Sequence, residues 1–144
     1  FAYVTNGASG NVSACAINVK TGALTQVKGS PFAAGDDPSG VAITPAGEFV
    51  YVADFISNNV SAYAVNPHNG ALQQLIGSPF AAGTCPVAVA IDPTGKFAYV
   101  VDEGYMGGGS GISAYAINAN SGVLKEIKGS PFEGGPTPTA AAIR

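Results

Sequence analysis

The chain has 144 residues, of which 47% are apolar and only 10% charged, with 20 Gly, 10 Pro and a net charge of −3. That balance leaves no basic footprint for nucleic acid, and no apolar run approaches the roughly 20 residues that cross a bilayer as a helix. Dense Gly and Pro with little charge fit a turn-rich all-β protein, and the low Lys content points to a place outside the cytoplasm.

Four short apolar runs follow one another from the N-terminus. Run b is Phe1–Thr5, run c is Asn11–Asn18, run d is Ala23–Val27 and run a is Gly40–Thr44. Each is rich in Val, Ile, Tyr, Phe or Ala and bounded by Gly, Pro or Asn, the pattern of strands separated by turns. Lys20-Thr21-Gly22 reads as a c–d hairpin turn, and Pro45-Ala46-Gly47 as an a–b turn. The same order then returns. Phe1-Ala2-Tyr3-Val4 is matched by Phe49-Val50-Tyr51-Val52 and Phe97-Ala98-Tyr99-Val100, 48 residues apart each time. Gly-Ser-Pro-Phe occurs at Gly29–Phe32, Gly77–Phe80 and Gly129–Phe132, and the third unit carries four extra residues within Gly104–Gly111. In the second c run Ser61, Tyr63 and Val65 face one way and Ala62 and Ala64 the other. No stretch holds a helical period with caps, so helix is confined to single turns.

Four antiparallel strands per unit, in units of about 45–50 residues, is the signature of a β-propeller blade. The expected fold is therefore all-β: four-stranded antiparallel blades, three per chain, in repeats 1–48, 49–96 and 97–144 of one unit. The repeats run b-c-d-a, so they are out of phase with the blades. Twelve strands are expected, the last being run a at Thr139–Arg144. A three-bladed ring falls below the four to eight blades of natural propellers. The expected partner is thus a second copy, joined head to tail by strand exchange, giving six blades per dimer. The Ser-Pro-Phe triplets are expected to pin the d–a crossovers, with Phe32, Phe80 and Phe132 packed between blades.

The motifs themselves carry a resemblance. Tyr3-Val4-Thr5-Asn6, the Asn-x-Val-Ser of run c, the Gly-Ala-Leu opening run d, Gly-Ser-Pro-Phe, and Pro-x-x-Val-Ala-Ile resemble the YVTN-type, lactonase-family propellers. The likeness spans essentially the whole chain. It implies a seven-bladed relative and, at the enzyme end of the family, hydrolysis of 6-phosphogluconolactone; these motifs are packing and turn residues and do not specify a substrate.

Chemistry in a propeller is expected where loops of several blades converge. Strand alternation puts the b–c and d–a connections on one face and the a–b and c–d turns on the other. Asp36, Asp37, Asp54, Asp102, Glu103 and Glu133 fall on or beside the first face. Lys20 and Lys96 fall on the second, and Lys28, Lys125 and Lys128 lie along the outer strand. The ligand-face candidates are Asn6, Asp37, Asp54, Asp102, Glu103 and Tyr105, with Met106 beside Tyr105 on the enlarged loop. No cofactor is implied beyond a divalent cation, for which oxygen ligands from Asp54, Asp102 and Glu103 are the candidates. Asp54 and Asp102 share a register with Asn6 at the end of run b, where Asn and Asp also cap turns. No catalytic residue stands out: His68, the single histidine, lies in the Asn66–Gly70 turn. Cys15 replaces the Tyr of run c and reads as a small buried hydrophobe, with no disulfide to Cys85. Three functions follow: a non-enzymatic scaffold or binding module, a lactone hydrolase acting in a complete ring, or a cation binder in an acidic channel.

Overall fold

The structure, a computed structural model, describes residues 1–105 and 109–144. Three antiparallel sheets succeed one another along the chain. The first holds β1 (Ala2–Asn6), β2 (Asn11–Ile17), β3 (Leu24–Gln26) and β4 (Phe32–Ala33). The second holds β5 (Pro38–Ile43), β6 (Phe49–Asp54), β7 (Asn59–Val65), β8 (Leu72–Gln74) and β9 (Phe80–Ala81). The third repeats that pattern with β10 (Pro86–Ile91), β11 (Phe97–Asp102), β12 (Gly111–Ile117), β13 (Leu124–Glu126) and β14 (Phe132–Glu133). Among the described residues, helix is limited to one 3-10 turn at Gly7–Ser9. The repeat register holds in three dimensions: Tyr51 lies opposite Ala62, and Tyr99 opposite Ala114.

Two strand expectations change. Run d forms one short strand, β3, but a further short strand outside the expected runs, β4, follows it on the same outer edge of β2, and the other sheets repeat this pair. The physical reason is the proline between them, which has no N–H to give to a ladder. The serine before it takes over the contact. Ser30 Oγ accepts the Ala14 N–H at 2.8 Å, Ser78 Oγ that of Ala62 at 2.9 Å, and Ser130 Oγ that of Ala114 at 3.0 Å. All three Ser-Pro bonds are cis. The second change is at the other end: residues 139–144 repeat β5 and β10 in sequence but form no strand in the single chain. The first sheet accordingly has no inner strand, and β1 pairs on one side alone.

The core lies between sheets rather than within them. Val12, Tyr3 and Phe32 of the first sheet meet Val52, Tyr63 and Leu72 of the second. Phe49, Tyr51, Val60 and Phe80 of the second meet Val100, Tyr115, Ile117 and Leu124 of the third. Phe32 and Phe80 thus pack between blades as expected, whereas Phe132 is left exposed on the outer side of the third sheet. The two faces of run c divide as expected, Tyr63 and Val65 joining the first of these cores and Ala62 and Ala64 the second. Tyrosines bolt each sheet to its neighbour in both directions. Tyr51 Oη donates to the Gly122 carbonyl at 2.7 Å and Tyr3 Oη to that of Gly70 at 3.0 Å. In the reverse sense Tyr63 donates to Ala33 and Tyr115 to Ala81, both at 2.5 Å. Cys15 at the equivalent place is only half-buried, because no preceding sheet covers it. Both cysteines are free, as expected.

Candidate functional site

The b–c and d–a connections come together at one end of the sheets. The main chain knits each d–a connection to the b–c loop beside it. Phe55 and Ile56 N–H donate to the Asp37 and Asp36 carbonyls at 3.0 and 3.2 Å. Glu103 and Gly104 repeat this on Cys85 and Thr84 at 3.0 and 2.9 Å. The d–a turn is made at Asp37, Cys85 and Thr137, whose φ angles of 52°, 54° and 49° are left-handed at three equivalent non-glycine positions. Asn58 braces one of them, its Oδ1 accepting the Cys85 N–H at 2.7 Å. An open cleft of about 660 Å³ lies at this end, walled by Gly7–Gly10, Asp36, Asp37 and Ile56.

The candidate residues separate into two groups. Asp37, with Asp36, is exposed at the cleft; Tyr105 is exposed and Glu103 half-buried on the b–c loop of the third sheet. Met106 lies outside the described residues. Asp54 and Asp102 are instead beneath the surface, 0% and 1% exposed. Asp54 Oδ2 accepts the Ser61 N–H at 3.1 Å and its hydroxyl at 2.7 Å. Asp102 Oδ2 does the same with Ser113 at 3.1 and 2.7 Å. A d–a glycine closes over each carboxyl: a Cβ on Gly35 would come within 2.7 Å of Asp54 Cγ, and one on Gly83 within 2.9 Å of Asp102 Cβ. These glycines are present for close approach. The carboxylates therefore fasten strand b to strand c beneath a d–a connection. Asn6 does related work in the first sheet, its Nδ2 donating to Asn11 Oδ1 and Ser13 Oγ, each at 2.8 Å.

Burial sets the electrostatics of this layer. It pushes the Asp54 carboxyl above the usual carboxylate range, against the pull of the Ser61 hydroxyl and the Gly35 and Ser61 N–H groups, and the Asp36 charge adds to the rise. Asp102 is raised for the same first reason, against Ser113 and Gly83. In each, Oδ1 is buried without a partner, which further disfavours a bare charge. Burial also lifts the adjacent Tyr115 phenol to about 12. Among the described residues no three His, Cys, Asp or Glu side chains gather in a way that could hold a metal ion.

His68 sits exposed in the c–d turn, held through its N–H to Asn66 Oδ1 at 3.0 Å, at the opposite end from the cleft. That end has its own carboxylate clamp, which sequence reasoning missed. Asp92 Oδ1 accepts the Lys96 and Phe97 N–H groups at 2.8 and 2.7 Å, while Oδ2 takes Thr94. Burial opposes its charge, but these donors win and hold it below the usual range. Ser61 and Ser113 were missed too. Their signal was in the sequence: serine follows Val or Ile at the same place in all three c runs.

Comparison with other proteins places this geometry. The sequence pattern described as "Lactonase, 7-bladed beta-propeller" matches residues 1–141. No curated protein sequence matches the chain. Among solved structures, the periplasmic gluconolactonase PpgL of Pseudomonas aeruginosa superposes with a TM-score of 0.77 at 21% identity, over 96% of this chain and 38% of that one. A proposed 6-phosphogluconolactonase of Bacteroides fragilis gives 0.76 at 22% identity, over 88% and 34%. A protein of unknown function from Desulfotomaculum acetoxidans gives 0.74 at 23%, over 95% and 41%. The chain thus spans about two fifths of the length of these structures, and at such identities they speak for the fold alone. Repeat pattern, stacked sheets and family match agree from end to end: the chain belongs to the lactonase family of seven-bladed β-propellers.

Proposed function

We propose that the chain is a binding and scaffolding segment of a lactonase-type propeller whose acidic loop end receives a neutral or cationic polar ligand. The sorting of charge carries this reading. Asp36, Asp37 and Glu103 stand at the cleft end, whereas Lys20 and Lys96 stand in the turns of the other end and Lys125 lies on the outer strand β13. A phosphorylated sugar calls for Arg, Lys or a helix N-terminus at its phosphate. A negative field favours uncharged or positive groups instead. Asp54 and Asp102 support scaffolding over catalysis, since each is spent on a serine of its own sheet.

Family membership favours a second reading, hydrolysis of a lactone in a complete ring. Titrating acid release from glucono-1,5-lactone and from its 6-phosphate, with and without Ca²⁺, separates the readings. The scaffold reading expects no release from either. Release from the unphosphorylated lactone alone supports the hydrolase, and a Ca²⁺ requirement would assign the acidic cleft to a cation. Turnover of the phosphorylated lactone by the folded chain overturns the ligand-face assignment.

A further inference from the structure

We infer that Asn69 is a modification site: its side-chain amide is lost to attack by the Gly70 main-chain nitrogen, giving aspartate and isoaspartate in the c–d turn of the second sheet. This is independent of the ligand reading. The three c–d turns share one design, in which the residue before the glycine supplies an oxygen to the N–H two residues on. Thr21 Oγ1 accepts from Ala23 at 3.3 Å and Ser121 Oγ from Val123 at 3.5 Å, whereas Asn69 Oδ1 accepts from Ala71 at 3.0 Å. Only the second turn fills this place with a group that can be expelled as ammonia.

The local geometry favours that loss. Asn69 is exposed, so water reaches the amide. The Ala71 N–H polarises the amide carbonyl and holds the oxyanion that forms on attack. Gly70, at a φ of 74°, has no Cβ to obstruct the new ring. Gly70 N bonds to Asn69 Cγ, the Cγ–Nδ2 bond breaks, and Nδ2 leaves as ammonia with the Gly70 amide proton. Water then opens the succinimide. Cleavage between Cγ and Gly70 N gives aspartate; cleavage between the main-chain carbonyl carbon and Gly70 N gives isoaspartate, with the main chain routed through Cβ and Cγ. One bond holds the reaction in check, since Gly70 N–H donates to the Asn66 carbonyl at 2.8 Å and must be released first. The chain's other Asn-Gly pair, Asn6-Gly7, is more firmly held. Asn6 is half-buried, is paired with Asn11 across the strands, and has Nδ2 bound to Asn11 Oδ1 and Ser13 Oγ at 2.8 Å each. The consequence of modification reaches the neighbouring sheet. Gly70 offers its carbonyl to Tyr3 Oη at 3.0 Å, and isoaspartate lengthens the main chain just before it, drawing that carbonyl out of place. Aspartate leaves the turn closed, with an oxygen still on Ala71.

Incubation of the folded chain in oxygen-18 water at mildly alkaline pH, followed by peptide mapping, tests this. Asn69 is expected to take up label about tenfold faster than Asn6, which must release one hydrogen bond more. Asn69→Ser, which copies the third turn, is expected to fold like the parent and to take up no label there. The isoaspartyl form, separated chromatographically and identified by enzymatic methylation, is expected to unfold at lower urea than the parent, whereas Asn69→Asp unfolds with the parent. Equal labelling of Asn6 and Asn69, or labelling of Asn69 in urea alone, would overturn the assignment. An isoaspartyl form as stable as the parent would overturn its link to the Tyr3 contact.

Discussion

β1 and β6 hold the same place in the repeat and share its Tyr-Val pair, yet all six residues of β6 are buried and none of β1 is fully so. Val4 is 51% exposed and its counterpart Val52 is 0%. The difference lies in the neighbours: β6 has an inner strand beside it and a sheet on either face, whereas β1 has one paired edge and one covered face. A blade of this kind does not possess a core; it acquires one from each sheet that stacks on it. Stability is then close to a sum of nearest-neighbour terms.

The largest test of that contrast uses the tyrosines of β1 and β6. Tyr51 is buried on the second interface with its hydroxyl on Gly122, and Tyr3 is only half-buried with its hydroxyl on Gly70. Tyr51→Ala is expected to cost about 3–5 kcal/mol, through lost packing and an orphaned carbonyl. Tyr3→Ala should cost less, since part of its side chain stays in water. Urea unfolding of both variants reads the difference. Equal losses would mean that the first sheet is covered in solution to the same degree as the second.

This contrast also marks how far the sequence could be read. The blade pattern, the loop faces and the charge sorting were legible because strand alternation and turn chemistry are local. Placement of Asp54 and Asp102 was not, because their burial depends on Gly35 and Gly83 in d–a connections about 20 residues upstream. Nor was the extra strand β4 legible, since its place on the same edge as β3 needs Ser30 to stand in for an N–H that Pro31 lacks. Cys15 was misjudged for a third reason: its strand is identical in kind to β7 and β12, and only the absence of a covering sheet leaves it half-buried.

A pair of turn glycines sharpens the comparison at smaller amplitude. Gly22 and Gly122 hold φ of 73° and 68°, so an alanine at either costs roughly 1 kcal/mol from backbone alone. At Gly122 the new methyl would also meet the Phe49 ring at 2.7 Å and Leu75 Cδ1 at 2.8 Å, whereas at Gly22 it meets nothing within 4 Å. Overpacking adds about 1–3 kcal/mol at the first site only. Thermal unfolding of the two variants should therefore separate them by several degrees. A Gly22→Ala penalty as large as that at Gly122 would mean that a side chain covers Gly22 in solution as Phe49 covers Gly122.

The smallest expected effect has the most informative sign. Asp54 is raised by burial, so the folded protein holds its proton more tightly than the unfolded chain does. Its contribution to stability is fully present below the unfolded aspartate range and is lost as pH rises through the higher folded value. Asp92, held low by four donors after burial is opposed, acts in the opposite direction: its contribution is present above the unfolded range and fades as pH falls through its folded value. Asp54→Asn keeps an oxygen for Ser61 and removes the charge that burial penalises, and the first repeat already carries Asn6 at this place. The variant should gain roughly 1 kcal/mol at neutral pH, the scale of one unsatisfied buried polar atom. The gain should shrink to nothing as pH falls below the unfolded aspartate range, where Asp54 is neutral in both states. Unfolding free energies between pH 3 and 8 would show it. A loss that grows with pH would mean that the Asp54 charge is satisfied in the fold, and that its unpartnered Oδ1 faces a cation or water at the acidic end.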